Sequence, residues 1–325
     1  METPVITAPA IVSEPFESAV ITKGHSMRRV LSWALGVIIP MLIIVPLLLF
    51  HAYIAWHLSK PAIAALTSNP LQAVQLPYED VAFASGNETL QGWYIPAAAT
   101  SRTVVFSHGY GGNREEVWVP LYDLAKSLHD RHYNVLMFDY GYVSDPNRFV
   151  TGGVRESQEL RDAVSFAKAK GASDVYIWGF SMGAGTALQA ALGNEEIGGM
   201  ILDSTFLLTP DTLYANVKRY VDLPRYPSLP LIRMFASLWS GMTLNQIPYQ
   251  QVVSTDFSIP LFLIHGQEDE LAPYQTAEAI YAEQKMNDRS ELWLLPNGRH
   301  ELLYNSAKKE YTKRAFAFLR DIANG

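Results

Sequence analysis

The chain has 325 residues, of which 49% are hydrophobic and 18% are charged. This composition is too apolar for a disordered chain and suits one large domain or two small ones. The formal net charge of −7 gives no general basic surface to neutralise phosphates, so a nucleic acid partner is not expected. The absence of cysteine excludes disulfides, thiolate catalysis and Cys-ligated metal sites.

The apolar residues are concentrated near the amino terminus. Residues Val30 to Phe50 form a run of 21 without a formal charge, close to the ~20 residues that a helix needs to cross a bilayer. A buried core helix and a cleavable signal peptide are alternatives, but the run is longer than either usually contains. It therefore predicts a transmembrane helix that stays in the protein as an anchor.

The charges beside this run predict its orientation. Three bases lie just before it: Lys23, Arg28 and Arg29. By the positive-inside rule, the amino terminus stays in the cytoplasm and the rest of the chain lies on the far side of a cell membrane that it crosses once. We expect a flexible tail over residues 1–29, an anchor over 30–58, a linker over 59–78 and a folded domain over 79–325.

From residue 79 onward, short apolar segments alternate with segments of helical periodicity. The predicted strands are 80–85, 90–95, 103–107, 134–138, 175–179, 199–203, 260–265 and 291–295. The predicted helices are 118–132, 155–170, 182–192, 275–284 and a last one from 303. This alternation predicts an α/β fold with a mostly parallel sheet covered on both faces and an antiparallel hairpin at one edge. The segment 204–258, rich in proline and aromatic residues, is predicted to form a helical cap insertion.

The sequence Gly-Phe-Ser-Met-Gly at residues 179–183 lies between a predicted strand and a predicted helix. Such a turn strains its central residue and leaves no room for side chains at the flanking positions, which explains the glycines. The helix that follows directs its free N–H groups toward the turn and favours negative charge there. Ser181 is therefore a candidate nucleophile.

A serine nucleophile needs a histidine that accepts its proton and an acid that orients the histidine. With this motif the three residues follow the chain order Ser, Asp or Glu, His. Of the eight histidines, His300 fits that order, in the loop between the last strand and the last helix. His265 ends a strand before any suitable acid.

Three neighbouring carboxylates compete for the role of the acid: Glu268, Asp269 and Glu270. All three follow the predicted strand 260–265, and loop position favours Asp269. Asp203, at the end of the strand after the serine helix, is a further candidate. We expect Asp203 instead to help turn the chain into the cap.

An oxyanion hole requires two backbone N–H groups, one from the residue after the nucleophile and one from the loop after the first parallel strand. Met182 is predicted to supply the first. The second is assigned to Tyr110, in a loop at 106–113 whose glycines let the backbone approach a substrate. His108 in the same loop is expected to be a packed, hydrogen-bonded residue rather than a catalyst.

These motifs together resemble the α/β-hydrolase superfamily, over about residues 80–322. The residues that carry the resemblance are 108–113, 138–141, 179–183, 202–204, 264–266 with Asp269, and Gly298 with His300. Within the superfamily the chain is similar to membrane-anchored bacterial hydrolases related to the prolyl-oligopeptidase and monoglyceride-lipase groups. The resemblance implies an α/β-hydrolase fold, a Ser181–Asp269–His300 triad, an acyl-enzyme intermediate and no cofactor. Residues 141–144 and Arg299 depart from the usual pattern of the family.

We therefore expect a membrane-anchored serine hydrolase that cleaves acyl esters, with a small-molecule or lipid-like acyl substrate. The aromatic residues of the cap favour an apolar acyl pocket. Peptidase, thioesterase or acyltransferase activity would use the same residues. The sequence does not indicate an oligomeric state.

Other classes of protein fit the sequence less well. A dinucleotide-binding site is disfavoured because Leu188 occupies the third glycine position of that fingerprint. His129 and His132 are a weak metal site without an adjacent pair of carboxylates, so no metal is expected. A non-catalytic, membrane-tethered binding protein on the same fold is a further alternative, but the complete set of motif residues argues against it.

Overall fold

The computed structural model describes residues 1, 23–116, 118–193, 196–285, 287–300 and 303–324. The chain divides into two compact units, Met1–Phe50 and His51–Gly325. Helix α1 (Lys23–Ser59) begins in the first unit and ends in the second. Most of the tail predicted over residues 1–29 lies outside the described residues.

Helix α1 contains the apolar run, and it continues through Pro40 and Pro46. Its residues Met27–Ser59 are long and apolar enough to cross a membrane. The apolar window of this segment is not buried by the rest of the described chain. This exposure is contrary to the alternative of a core helix, whose side chains would be packed inside the protein.

The second unit contains the alternating strands and helices that the sequence predicts. The strands are β1 (Glu79–Ser85), β2 (Glu88–Ile95), β3 (Arg102–Ser107), β4 (Asn134–Phe138), β5 (Asp174–Phe180), β6 (Ile197–Asp203), β7 (Leu261–Gly266) and β8 (Glu291–Leu295). The further helices are α2 (Pro70–Val74), α3 (Leu121–His129), α4 (Gly141–Ser144), α5 (Val154–Ala169), α6 (Met182–Ala191), α7 (Pro210–Tyr220), α8 (Arg225–Ser240), α9 (Tyr249–Ser254), α10 (Gln275–Glu283) and α11 (Leu303–Ala323).

The eight strands of the described residues form one sheet in the order β1-β2-β4-β3-β5-β6-β7-β8. Strands β3 to β8 pair in parallel, and β2 pairs antiparallel with both β1 and β4. The α/β-hydrolase fold with a mostly parallel sheet and an antiparallel hairpin at the edge is confirmed. Because parallel strands end at the same edge, the loops after β3, β5, β7 and β8 lie on one side of the sheet.

Alternate residues of the central strands enter two separate cores, one on each face of the sheet. Val105, Ile177 and Leu263 pack on the face covered by α5, α6 and α10. Val104, Trp178 and Ile264 pack on the face covered by α3 and α11. This alternation explains why the strands are apolar throughout, since both of their faces are buried.

Two segments differ from the expected elements for local reasons. The helix predicted over 118–132 is shorter, because Pro120 precedes its first turn and His132 has a φ of +61°. The predicted linker at 59–78 contains α2, whose start is capped by Asn69 accepting the N–H of Gln72 at 2.9 Å. The segment 204–258 forms α7, α8 and α9.

Asp203 at the end of β6 is buried, with 1% of its surface exposed. Its carboxylate accepts the hydroxyl of Tyr311 at 2.7 Å and that of Ser204 at 2.8 Å. Burial raises the pKa of Asp203 above its ordinary value, although both hydrogen bonds oppose the shift. Asp203 therefore joins β6 to α11 and the start of the cap segment, consistent with the expected structural role.

Replacing Tyr311 with phenylalanine should lower the free energy of unfolding by about 1–3 kcal/mol at neutral pH, because a buried carboxylate loses a donor. The loss should shrink as the pH falls and the carboxyl takes up a proton. Urea unfolding of the full chain in detergent measures it. Tyr281→Phe, which removes a hydroxyl from a residue that is 39% exposed, is the control, and an equal effect of both variants would contradict the assignment.

Candidate active site

Ser181 lies in a sharp turn between β5 and α6. Its backbone has φ +53° and ψ −118°, which is an unusual conformation for a residue with a side chain. Its N–H donates to the carbonyl of Asp203 at 2.9 Å. A Cβ atom at Gly183 would lie 2.0 Å from the carbonyl oxygen of Ser107, so this position requires glycine. The turn therefore presents the serine hydroxyl above the carboxyl end of the sheet.

The structure brings Ser181, Asp269 and His300 together in one hydrogen-bonded chain. Nδ1 of His300 lies 2.6 Å from Oδ2 of Asp269, and Nε2 lies 2.7 Å from Oγ of Ser181. An ionised carboxylate only accepts hydrogen bonds, so Nδ1 is assigned the proton and Nε2 accepts the serine hydroxyl. This arrangement can remove a proton from the serine and hold the resulting imidazolium.

The carboxylate of Asp269 has four donors around it. Oδ1 accepts the N–H groups of Leu271 and Ala272, each at 2.8 Å. Oδ2 lies 2.6 Å from His300 and 3.1 Å from Nε2 of His265. Burial alone would raise the pKa of Asp269, but hydrogen bonds from the histidines and from Ala272 outweigh it and hold the pKa well below the ordinary value. The group therefore stays anionic at neutral pH.

The two neighbouring acids face away from this cluster. Glu268 lies 4.0 Å from Arg299, and Glu270 lies 3.3 Å from Arg219. Both glutamate side chains are more than half exposed. The structure thus places Asp269, among the three competing carboxylates, against His300. Arg299, which departs from the family pattern, is an exposed partner of Glu268.

Sequence reasoning missed the contact of His265 with the candidate acid. This histidine is fully buried at the end of β7, and its Nε2 also lies 3.2 Å from the carbonyl oxygen of Ala272. Nε2 is assigned the hydrogen because both of its neighbours are acceptors. The available signal was a histidine four residues before Asp269, with His265 at the end of the strand and Asp269 in the turn that follows it. His265 is a positioning residue for the acid.

The two predicted oxyanion residues lie in the wall of one cavity. Tyr110 and Met182 line the same cavity as Ser181 and His300. Met182 is the first residue of α6, so its N–H has no acceptor within the helix and can bind a substrate oxygen.

Buried polar groups fix the loop that carries Tyr110 through hydrogen bonds. Nδ1 of His108 donates to the carbonyl of Gly109 at 3.0 Å, while Nε2 accepts the N–H of Tyr140 at 3.3 Å. The hydroxyl of Tyr140 donates to Ser107 at 2.6 Å, and Ser107 donates to the carbonyl of Gly183 at 2.8 Å. These bonds tie the loop after β3 to the start of α6. His108 is therefore the packed, hydrogen-bonded residue that we expected.

The segment 141–144 forms the short helix α4. The hydroxyl of Tyr142 donates to the carbonyl of Gly109 at 3.3 Å. A segment that departs from the family pattern thus still supports the loop of Tyr110.

Ser181 opens into a cavity of about 260 Å³ between the sheet and the cap segment. Among the described residues that line it there is no Asp, Glu, Lys or Arg. Its apolar wall includes Leu58, Met182, Phe206, Leu213, Ile232 and Leu271. Such a lining favours an uncharged, apolar group beside the serine hydroxyl.

Family models match two parts of the chain. Residues 102–230 match the model of the alpha/beta hydrolase fold, and residues 240–325 match that of the prolyl oligopeptidase family. The uncharacterized protein YfhR of Escherichia coli O157:H7 is 30% identical over 234 residues, which cover 68% of this chain and 73% of YfhR. The lysophosphatidylserine lipase ABHD12 of Macaca fascicularis is 28% identical over 207 residues, which cover 59% of this chain and 48% of that protein.

Solved structures show the same fold. The Pyrococcus furiosus esterase Pf2001 superposes with a TM-score of 0.67 at 24% identity and covers 81% of this chain and 98% of its own. Est1E from Butyrivibrio proteoclasticus superposes with a TM-score of 0.59 at 16% identity and covers 76% of this chain and 99% of its own. Together with the sequence relatives, the sheet order and the serine turn, these matches show that the chain belongs to the α/β-hydrolase superfamily.

Proposed function

We propose that the protein is a membrane-anchored serine hydrolase that cleaves carboxylic esters through an acyl-enzyme intermediate. The hydrogen-bonded chain from Ser181 through His300 to the buried carboxylate of Asp269 supports this function. Relatives named as a lipase and as an esterase support hydrolysis of acyl groups.

In the proposed mechanism, Oγ of Ser181 attacks the acyl carbonyl while its proton passes to Nε2 of His300. The N–H groups of Tyr110 and Met182 bind the resulting oxyanion, and each such donor contributes about 3–4 kcal/mol to the transition state. His300 then gives the proton to the departing alcohol, which leaves an acyl-serine. Water then attacks this ester while its proton passes to His300, which returns a proton to Oγ of Ser181. This step releases the acid and restores the serine. Asp269 orients the imidazole and stabilises its positive charge throughout.

The lining of the cavity supports recognition of an apolar acyl group in the substrate. Its walls have no Asp, Glu, Lys or Arg among the described residues, so a charged acyl group would lose its hydration without gaining a partner. The match of residues 240–325 to the prolyl oligopeptidase family supports amide cleavage as the second candidate.

The proposed location is a cell membrane, with one crossing by α1, the amino terminus in the cytoplasm and the hydrolase unit outside it. The exposed apolar surface of α1 supports insertion into lipid. Bases just before the run support this orientation.

Ser181→Ala should reduce the hydrolysis of p-nitrophenyl esters by on the order of 10⁶-fold, to the background rate, because the attacking oxygen is removed. The initial rate of p-nitrophenol release by the detergent-solubilised full chain measures this loss. Ser237→Ala is the matched control, since Ser237 also lines the cavity and should keep most of the activity. Near-normal turnover by Ser181→Ala would contradict the proposal.

Asp269→Asn should lower kcat by about 10⁴-fold, because the neutral amide no longer orients the imidazole or stabilises its charge. The neighbouring Glu268→Gln should have little effect.

In the unaltered protein the low pKa of Asp269 keeps it ionised at mildly acidic pH. As the pH is lowered, kcat/KM should therefore fall with the uptake of one proton. A fall of kcat/KM that follows the uptake of two protons above pH 5 would mean that Asp269 also titrates there, which would contradict this assignment.

Esters should be better substrates than amides, and medium acyl chains better than acetyl, because longer chains fill more of the apolar cavity. A p-nitrophenyl ester series of increasing chain length, assayed beside aminoacyl nitroanilides, measures both preferences. Ala236→Phe, which adds a ring to the cavity wall, should shift the optimum to shorter chains. Faster cleavage of the anilides would reverse the order of the two candidate functions.

A further inference from the structure

The last turns of α1, His51–Ser59, belong to the compact unit that holds the candidate active site. Ala55 is fully buried in an apolar cluster with Leu213 and Leu229 of the cap helices. The ring of Trp56 packs edge-on against Phe149 at 5.3 Å and against Trp239 at 5.4 Å. This end of the helix is therefore packed like part of the domain rather than like a flexible tether.

Tyr110 connects this helix end to the oxyanion loop. Its hydroxyl donates to the carbonyl of His57 at 3.2 Å and to that of Leu58 at 3.0 Å. The last four carbonyls of a helix have no N–H partner within the helix, so these two can accept an outside donor. The backbone N–H of the same tyrosine is the proposed second donor to the oxyanion. One residue thus contacts α1 with its side chain and serves the reacting carbonyl with its backbone.

The helix end also forms part of the wall beside the nucleophile. Leu58 and Ser59 line the cavity that contains Ser181 and His300. The N–H of Val150, another lining residue, donates to the carbonyl of Ser59 at 2.9 Å. The helix end is therefore hydrogen-bonded to a second segment of the cavity wall.

We infer that the last turns of α1 are a working part of the active site: their carbonyls position the oxyanion loop through Tyr110, and Leu58 limits the acyl chain. This inference rests on the proposed function. Helix α1 then has two roles. Its apolar run anchors the protein in the membrane, and the turns that follow this run complete the catalytic cavity. Its effect on the oxyanion donor should appear in kcat, since that contact is strongest in the transition state.

Tyr110→Phe tests the link, because it keeps the ring and the backbone N–H and removes only the hydroxyl that binds α1. In the full chain we expect kcat for a p-nitrophenyl ester to fall by about 10- to 100-fold, with KM changed by less than about twofold. Tyr226→Phe, which removes a hydroxyl from a residue that is 72% exposed, should match the unaltered protein. A kcat equal to that of Tyr226→Phe, or a loss confined to KM, would overturn the positioning role.

Leu58→Phe tests the wall separately and also decides the inference if Tyr110→Phe does not fold. Tyr110 binds backbone carbonyls, so this substitution leaves that link in place while it adds bulk to the cavity. The longest acyl chain that is hydrolysed should become shorter, and acetyl ester turnover should change little. An unchanged chain-length profile would overturn the wall assignment. If activity is lost in Ser181→Ala but normal in Tyr110→Phe and Leu58→Phe, this inference alone is rejected and the proposed function is retained.

Discussion

The buried carboxylate of Asp269 holds the candidate active site together through its hydrogen bonds. A charge inside a protein is tolerated only when hydrogen bonds replace its water, and here two backbone N–H groups and two histidines do so. These donors come from the end of β7, from the loop that follows it and from the loop after β8. The hydrogen bonds to this one carboxylate therefore fix three segments of the chain, including the loop that carries His300.

The parallel sheet makes this convergence possible. Ser181 follows β5, Asp269 follows β7 and His300 follows β8, so all three residues lie at the carboxyl edge of the sheet. The loops after β7 and β8 approach closely, since a Cβ atom at Gly266 would lie 2.2 Å from the carbonyl oxygen of Gly298. The N–H of Glu268 donates to the same carbonyl at 3.0 Å. Residues that are distant in the chain thereby reach hydrogen-bonding distance.

Features that depend on local pattern could be predicted from the sequence. Apolar strands, helical periodicity and the glycines around Ser181 each reflect a local steric or packing requirement, and the chain order of the motif selected His300. The contact of His265 with Asp269 could not be predicted in the same way, because it depends on how the chain turns after β7. The bond from Tyr110 to Leu58 joins residues 52 positions apart. It follows only from the packing of the end of α1, which a division into anchor, linker and domain did not anticipate.

Mapping the site of a fluorophosphonate adduct tests whether Ser181 is the residue that forms the covalent intermediate. The full chain is treated with the probe until ester hydrolysis stops, and the modified residue is then located by peptide mass spectrometry. We expect one adduct per chain, on Ser181, with activity lost in proportion to labelling. An adduct on another residue that accounts for the loss, or ester hydrolysis that persists after Ser181 is fully modified, would show that Ser181 is not the nucleophile.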